Sequence, residues 1–196
     1  MRLLFLGYLD SPLISWLKDQ GENVTVSDQR FPVDDPVWDS HDFLISYGYR
    51  HLIEEDVLNK FNGNGTRTVN LHISYLPWNR GADPTFWSFI DNTPKGVTIH
   101  RLAKGLDTGD ILVQQTLHFN DLNVSLLDAY RSLHEAIQVL FKQHWARLRT
   151  GEHARTPQRG HGTYHRSAER QALQSKFGIG DDTAISELIT VYNKSA

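Results

Sequence analysis

Two short segments of this 196-residue chain carry side chains that could act together on a carbonyl group. Asn70 and His72 alternate at the end of one apolar segment, and Asp107 lies in the glycine-containing turn of residues 105–110. An amide and an imidazole can donate hydrogen bonds to an oxygen that gains negative charge, and a carboxylate can orient the imidazole or help to relay a proton. These residue types therefore suit chemistry at a carbonyl carbon.

Spacing alone leaves the third member of this group open. Asn70 and His72 share one face of an extended segment because strand side chains alternate, although Asn-x-His is common by chance. Asp110 lies in the same turn as Asp107, and aspartate is frequent in such turns for structural reasons. The pattern does not choose between the two carboxylates.

An alternation of strands and helices is predicted to position these residues. Four short apolar segments are typical of buried strands: residues 2–6, 24–26, 43–45 and 68–71. Ser11 and Pro12 signal the start of a first helix, and residues 54–61 predict a second. The fourth strand brings Asn70 and His72 to its carboxyl end, where open α/β sheets bind ligands.

The second half of the chain predicts a hairpin and a long helix. Residues 97–102 and 111–117 read as strands around the 105–110 turn, so the sheet is expected to be mostly parallel with a hairpin-like edge. Ser125 and Asp128 form a capping-box variant. The helix behind them carries one apolar stripe and ends at Thr150: Leu126, Tyr130, Leu133, Ile137, Leu140, Phe141, Trp145 and Leu148. A short helix over residues 184–191 follows in a polar tail.

Composition excludes several classes of protein. The absence of cysteine rules out disulfides and thiolate chemistry and fits a cytoplasmic location. A formal charge of −3 gives no overall footprint for nucleic acid, and the basic residues between 147 and 170 form either a solvated surface or an anion contact. No apolar run approaches the roughly 20 residues that cross a membrane, and residues 2–6 read as a strand rather than a signal peptide. His161 and His165 have metal-like spacing without a partner ligand, so no metal is expected.

The two segments together resemble the two signatures of the folate-dependent formyltransferases. NLHISYLPWNRG from residue 70 and GLDTGD from residue 105 match the methionyl-tRNA formyltransferase-like catalytic domain in order and separation. The resemblance covers roughly residues 1–120. The longer form NLHISYLPWNRGADP is most similar to the sugar N-formyltransferase branch.

The resemblance implies a Rossmann-like formyltransferase fold that uses 10-formyltetrahydrofolate and no metal. Residues 1–150 would form the catalytic domain, and residues 151–196 an extension that packs on it or forms a dimer contact. The catalytic residues of the family correspond to Asn70, His72 and Asp107, which favours Asp107 over Asp110. Folate contacts correspond to His51, Leu52, Ile53, Lys104, Gly105 and Leu106. Contacts to the acceptor are expected from Tyr8, Trp78, Asn79 and Arg80.

Departures from other branches narrow the expected acceptor to a small-molecule amine. The acidic charge and the short segment after the long helix argue against tRNA, and residues 7–11 do not match the phosphate loop of the purine-pathway enzyme. A nucleotide-linked amino sugar is the leading candidate, with residues 162–166 contacting the nucleotide or building a homodimer. Two alternatives are a formyltetrahydrofolate hydrolase, which a chain that starts at the first strand disfavours, and a non-catalytic folate- or nucleotide-binding module.

Overall fold

Strands and helices alternate through the first part of the chain, as its apolar pattern predicts. The computed structural model describes residues 1–63 and 67–194. The strands are β1 (Arg2–Gly7), β2 (Asn23–Ser27), β3 (Phe43–Tyr47) and β4 (Thr68–His72), and the helices are α1 (Pro12–Asp19) and α2 (Glu55–Asn62). The Ser11 hydroxyl accepts a hydrogen bond from the Leu13 amide at 3.3 Å, which confirms Ser11 as the cap of α1. A short 3₁₀-helix (Pro36–Trp38) lies between β2 and β3.

The remaining elements surround the predicted hairpin and extend to the end of the described chain. The strands are β5 (Arg80–Gly81), β6 (Gly96–His100), β7 (Ile111–Thr116) and β8 (Tyr164–His165). The helices are α3 (Pro84–Ile90), α4 (Leu126–Thr150), α5 (Ser167–Phe177) and α6 (Ile185–Asn193). The predicted strands, the long helix and the short helix near residue 184 are confirmed, whereas α3 and α5 were not predicted.

One six-stranded sheet has the order β2-β1-β3-β4-β6-β7, and β5 pairs with β8 in a separate two-stranded sheet. β1 pairs in parallel with β2 and β3, and β3 pairs in parallel with β4. Backbone bonds from Arg101 to Asp110 and from Leu117 to Lys95 mark the antiparallel β6–β7 hairpin, each at 2.9 Å. The sheet is therefore mixed but mostly parallel, as expected.

The described residues divide into two compact units. One contains residues from 1–72, 99–113 and 138–158, and the other contains residues from 73–98, 114–137 and 159–194. In the first unit, Leu4, Leu6 and Leu44 are fully buried and pack with Trp38 and α2. In the second, an aromatic and aliphatic cluster joins α3 to α6. The predicted division of the chain at residue 150 stays a prediction.

Helix α4 begins and packs largely as its sequence indicates. The Ser125 hydroxyl accepts from the Asp128 amide at 3.0 Å, which confirms Ser125 as the cap of α4. The hydroxyl also donates to the Asp128 carboxylate at 2.7 Å, so the predicted capping-box variant closes through the hydroxyl. The predicted stripe is buried except at Tyr130, which is 37% exposed. Tyr130 instead rests its ring against His134, with the ring centroids 4.1 Å apart. None of the helices in the described part of the chain is long and apolar enough to cross a bilayer.

Candidate active site

Strand β4 delivers the first two predicted site residues. Asn70 lies in register with Ser46 of β3, and His72 is the last residue of β4. Alternation along the strand gives both side chains the same face. The His72 side chain is only 8% exposed, so its imidazole lies in an environment where hydrogen bonds and charges act strongly.

Asp107 contacts both of these side chains. Asn70 Nδ2 donates to Asp107 Oδ1 at 3.0 Å. His72 Nδ1 lies 3.7 Å from the same oxygen, which is too long for a hydrogen bond but close enough for electrostatic attraction. The Asp107 side chain is 10% exposed. The structure thus brings together Asn70, His72 and Asp107, whereas Asp110 contributes its backbone carbonyl to the β6–β7 hairpin.

A second imidazole, which the sequence reasoning missed, completes the cluster. His100 is the last residue of β6 and is 1% exposed. Its Nδ1 lies 2.9 Å from the Arg101 carbonyl oxygen, and because a carbonyl only accepts, Nδ1 carries a hydrogen. In the neutral ring, Nε2 then accepts from Asn70 Nδ2 at 3.0 Å, and it lies 3.3 Å from Asp107 Oδ1. The two amide hydrogens of Asn70 therefore have two acceptors, which fixes the orientation of the amide.

The loop that carries Asp107 is held in an unusual conformation. Asp107 has a φ of 52°, in the left-handed region that aspartate tolerates better than most residues. Gln158 Nε2 donates to the carbonyls of Asp107 and Gly109 at 2.7 and 2.8 Å. A side chain on Gly109 would overlap the Arg101 carbonyl, so only glycine fits there. These contacts place the Asp107 carboxylate against Asn70.

Comparison with known proteins identifies the family. The sequence of residues 39–143 matches the profile of the formyl transferase family. The structure also matches the formyltransferase PseJ from Anoxybacillus kamchatkensis, with a TM-score of 0.90 and 37% sequence identity, over 98% of this chain and 100% of that chain. This chain belongs to the formyl transferase family.

Other formyl transferases share the fold at lower identity. A sugar N-formyltransferase from a Shewanella species matches with a TM-score of 0.78 and 18% identity, over 98% of this chain and 86% of that one. An N-formyltransferase from Helicobacter canadensis matches with a TM-score of 0.67 and 19% identity, over 85% and 71% of the two chains. The predicted family and fold are confirmed.

The predicted folate contacts of this formyl transferase lie in two loops. His51, Leu52 and Ile53 follow β3, and Leu52 is 65% exposed whereas Ile53 packs against the core. Lys104, Gly105 and Leu106 follow β6; Leu106 is 46% exposed, and Lys104 forms an exposed ion pair with Glu55 at 3.0 Å. Exposed leucines and accessible loop backbone suit a flat aromatic ligand that also needs hydrogen bonds. These contacts stay a prediction.

The predicted acceptor contacts differ in accessibility. The Tyr8 ring packs edge-on against Tyr47, with centroids 5.0 Å apart, and lies over Gly48, whose missing side chain makes the room. Trp78 and Arg80 are partly exposed, and Arg80 begins β5. Acceptor contacts by these three side chains stay a prediction.

The side chain of Asn79, for which an acceptor contact is predicted, is enclosed and hydrogen-bonded within the protein. Its residue is 0% exposed. Its Nδ2 donates to the Thr93 hydroxyl at 2.7 Å, and its Oδ1 accepts from the Thr163 hydroxyl at 3.0 Å. Because the amide is enclosed and bonded at both ends, Asn79 helps to hold the loop after β4 in place, and an acceptor contact by Asn79 stays a prediction.

Of the two histidines with metal-like spacing, His165 packs against neighbouring side chains, whereas His161 is exposed. The His165 ring stacks on Trp87 with centroids 3.9 Å apart. Its nitrogens contact Asp91 at 2.7 Å and Glu169 at 3.1 Å. Within residues 1–63 and 67–194 there is no group of three or more metal-ligating side chains.

Proposed function

We propose that this chain transfers a formyl group from 10-formyltetrahydrofolate to the amine of a nucleotide-linked amino sugar. The observation that carries the proposal is the assembly of Asn70, His72 and Asp107 in a chain that matches PseJ along its full length. The PseJ structure holds tetrahydrofolate and UDP-4,6-dideoxy-4-formamido-L-AltNAc. A cytoplasmic location, which the lack of cysteine favours, and a homodimer are further proposals.

The amide and the imidazole stabilise the oxygen on which charge develops. When the acceptor amine attacks the formyl carbon, the formyl oxygen gains negative charge. Asn70 and His72 donate hydrogen bonds to it, and one N–H of Asn70 exchanges its present acceptor, Asp107 or His100, for this oxygen. Because these neighbours already orient the amide, little reorganisation is needed during the reaction.

The carboxylate and the imidazole balance the protons. The acceptor nitrogen forms a bond to the formyl carbon and must lose a proton, while the folate nitrogen loses its bond to that carbon and must gain one. Asp107 takes the proton from the acceptor, directly or through water, and orients His72, which supplies a proton to the leaving nitrogen. His72 then regains a proton from Asp107, so both groups return to their starting states. At 3.7 Å from His72 Nδ1, Asp107 Oδ1 acts on the imidazole electrostatically rather than through a hydrogen bond, and this proximity supports the division of roles.

Formyl transfer to a panel of nucleotide-linked amino sugars, followed by mass spectrometry, tests the proposal. We expect His72→Ala and Asn70→Ala each to lower kcat by about 10²–10³-fold, the usual cost of losing one oxyanion donor, with the fold retained by circular dichroism. His161→Ala, which removes an exposed imidazole, is the matched control and should retain wild-type turnover.

Three outcomes would contradict the proposal. Near-normal turnover by His72→Ala would exclude the proposed chemistry. Formate release at an equal rate without any amine would instead identify a hydrolase. Binding of both ligands without turnover across the whole panel would identify a non-catalytic binding module.

A further inference from the structure

The two-stranded β5–β8 sheet pairs an arginine with a tyrosine. The strands pair in parallel with Arg80 opposite Tyr164 and Gly81 opposite His165. The Arg80 amide donates to the Thr163 carbonyl and the Ala82 amide to the His165 carbonyl, both at 3.0 Å. Residues in register on neighbouring strands project to the same side of a sheet, so the Arg80 and Tyr164 side chains leave the backbone on the same side.

Contacts with buried or partly buried residues hold this small sheet in place. The Thr163 hydroxyl accepts from the Asn79 amide at 2.8 Å and donates to the Asn79 side chain. His165 is fixed between Trp87 and Asp91. The Arg80–Tyr164 pair is therefore carried on backbone that is held on both strands, and its geometry does not depend on a ligand.

The Tyr164 ring is both exposed and supported. It is 47% exposed. A Cβ atom on Gly81 would come within 2.8 Å of a ring carbon, so the ring lies against backbone that only glycine leaves open. An aromatic ring that is braced by backbone and still open to solvent is suited to stack on a planar ligand, because little ordering is needed when it binds.

We propose that Tyr164 and Arg80 form the subsite for the nucleoside diphosphate of the acceptor. The base stacks on the Tyr164 ring, and the Arg80 guanidinium pairs with diphosphate oxygens through charge-assisted hydrogen bonds. This inference rests on the proposed function, because it assigns the handle by which a nucleotide-linked amino sugar is held. It also gives the Gly162–Arg166 segment of the chain a nucleotide contact rather than a dimer contact.

Calorimetry with UDP, dTDP and inorganic pyrophosphate separates the two contacts. We expect Tyr164→Ala to weaken binding of UDP or dTDP by about 5- to 150-fold, the range for loss of one base–aromatic stack, and to leave pyrophosphate binding unchanged. Tyr164→Phe keeps the ring and should bind like wild type. Arg80→Gln should weaken binding of both nucleotide and pyrophosphate. Tyr130→Ala, which removes another exposed tyrosine ring at 37% exposure, is the matched control.

The readouts distinguish failure of the subsite from failure of the proposed function. Folate-analogue binding and circular dichroism should be unaltered in every variant. Unchanged UDP and dTDP affinity in Tyr164→Ala, with sugar formylation intact, would overturn the subsite and leave the function standing. A dimer that dissociates in Tyr164→Ala without any change in nucleotide affinity would show that a second copy covers the ring, and would also overturn it. Failure of the wild-type chain to bind UDP, dTDP and every nucleotide-linked sugar would overturn both proposals.

Discussion

Gln158 offers a direct test of how the Asp107 loop is positioned. Its side-chain amide donates to the carbonyls of Asp107 and Gly109, at 2.7 and 2.8 Å. Gln158→Ala removes both hydrogen bonds while leaving the Asp107 carboxylate in the chain. Each neutral hydrogen bond contributes about 0.5–1.5 kcal/mol net, so the preference for the present loop conformation falls by about 1–3 kcal/mol.

The loss of both Gln158 hydrogen bonds should lower the rate of formyl transfer and the melting temperature. A free-energy change of about 1.4 kcal/mol corresponds to a factor of ten in an equilibrium constant. The equilibrium between the present conformation of the Asp107 loop and its alternatives therefore shifts by about 5- to 150-fold, and this factor is the largest expected fall in kcat/KM for formyl transfer. The Arg101–Asp110 backbone bond remains and limits the effect. If the whole cost also appears in folding, the melting temperature falls by about 2–12 °C. Gln158→Glu, which offers no hydrogen to either carbonyl and adds a negative charge, should be more damaging than Gln158→Ala.

Steady-state kinetics with varied 10-formyltetrahydrofolate at saturating acceptor, together with a thermal melt, provide the assay. Gln171→Ala, on the exposed surface of α5, is the matched control for loss of a glutamine side chain. Wild-type kcat/KM in Gln158→Ala, or an equal loss in Gln171→Ala, would refute the positioning role.

Three further perturbations have defined outcomes. Gly109→Ala forces a methyl group into the Arg101 carbonyl and should abolish turnover. Gly180→Ala adds a methyl group where there is open space, so its turnover should equal that of the wild-type protein. An active Gly109→Ala variant would contradict this packing. Burial lowers the pKa of His134 to about 4. Because the folded state resists protonation of His134, the free energy of unfolding should fall by about 2 kcal/mol as the pH drops from 7 to 5, through the pKa of this histidine in the unfolded chain. Urea titrations of His134→Gln should lack this loss. Equal pH dependence in the variant and the wild-type protein would refute the explanation. Ser125→Ala should lower the free energy of unfolding by about 0.5–2 kcal/mol, and no change in the urea midpoint would argue against the cap.

The site residues that sequence could predict are those with a local signal. Asn70 and His72 end an apolar strand, so alternation places both at one edge of the sheet. Turn chemistry places Asp107 and Asp110 alike in the glycine turn, and the resemblance to the family, not the local pattern, favours Asp107. His100 carries a similar signal, because it is a polar residue at the end of the buried strand β6. It was missed because its contact with Asn70 depends on which strands are neighbours. Gln158 is 51 residues from Asp107 in the sequence, and nothing in the surrounding polar segment indicates that the two residues are in contact.

The sequence did not predict α3 and α5, and the reasons are opposite for the two helices. In α3, six of seven residues are buried, so the apolar residues show no stripe with a helical period. In α5 none is buried, so there is again no stripe. Tertiary contacts hold α5 instead, since Arg170 pairs with Asp83 at 2.6 Å and with Asp181. Such long-range pairs between exposed or half-exposed residues leave no periodic signal in the sequence.

The left-handed backbone at Asp107 restricts which residues can occupy this position, independently of its chemistry. At a φ of 52°, most side chains strain the main chain, and asparagine is the residue that shares both the shape and the tolerance of aspartate. Loss of activity on replacing Asp107 with alanine would therefore combine a missing carboxylate with a displaced loop. Asparagine separates the two, because it removes the charge and keeps the backbone preference. The position is therefore restricted by conformation as well as by charge, and a random library would be expected to recover folded proteins with glycine, asparagine or aspartate well before any other residue.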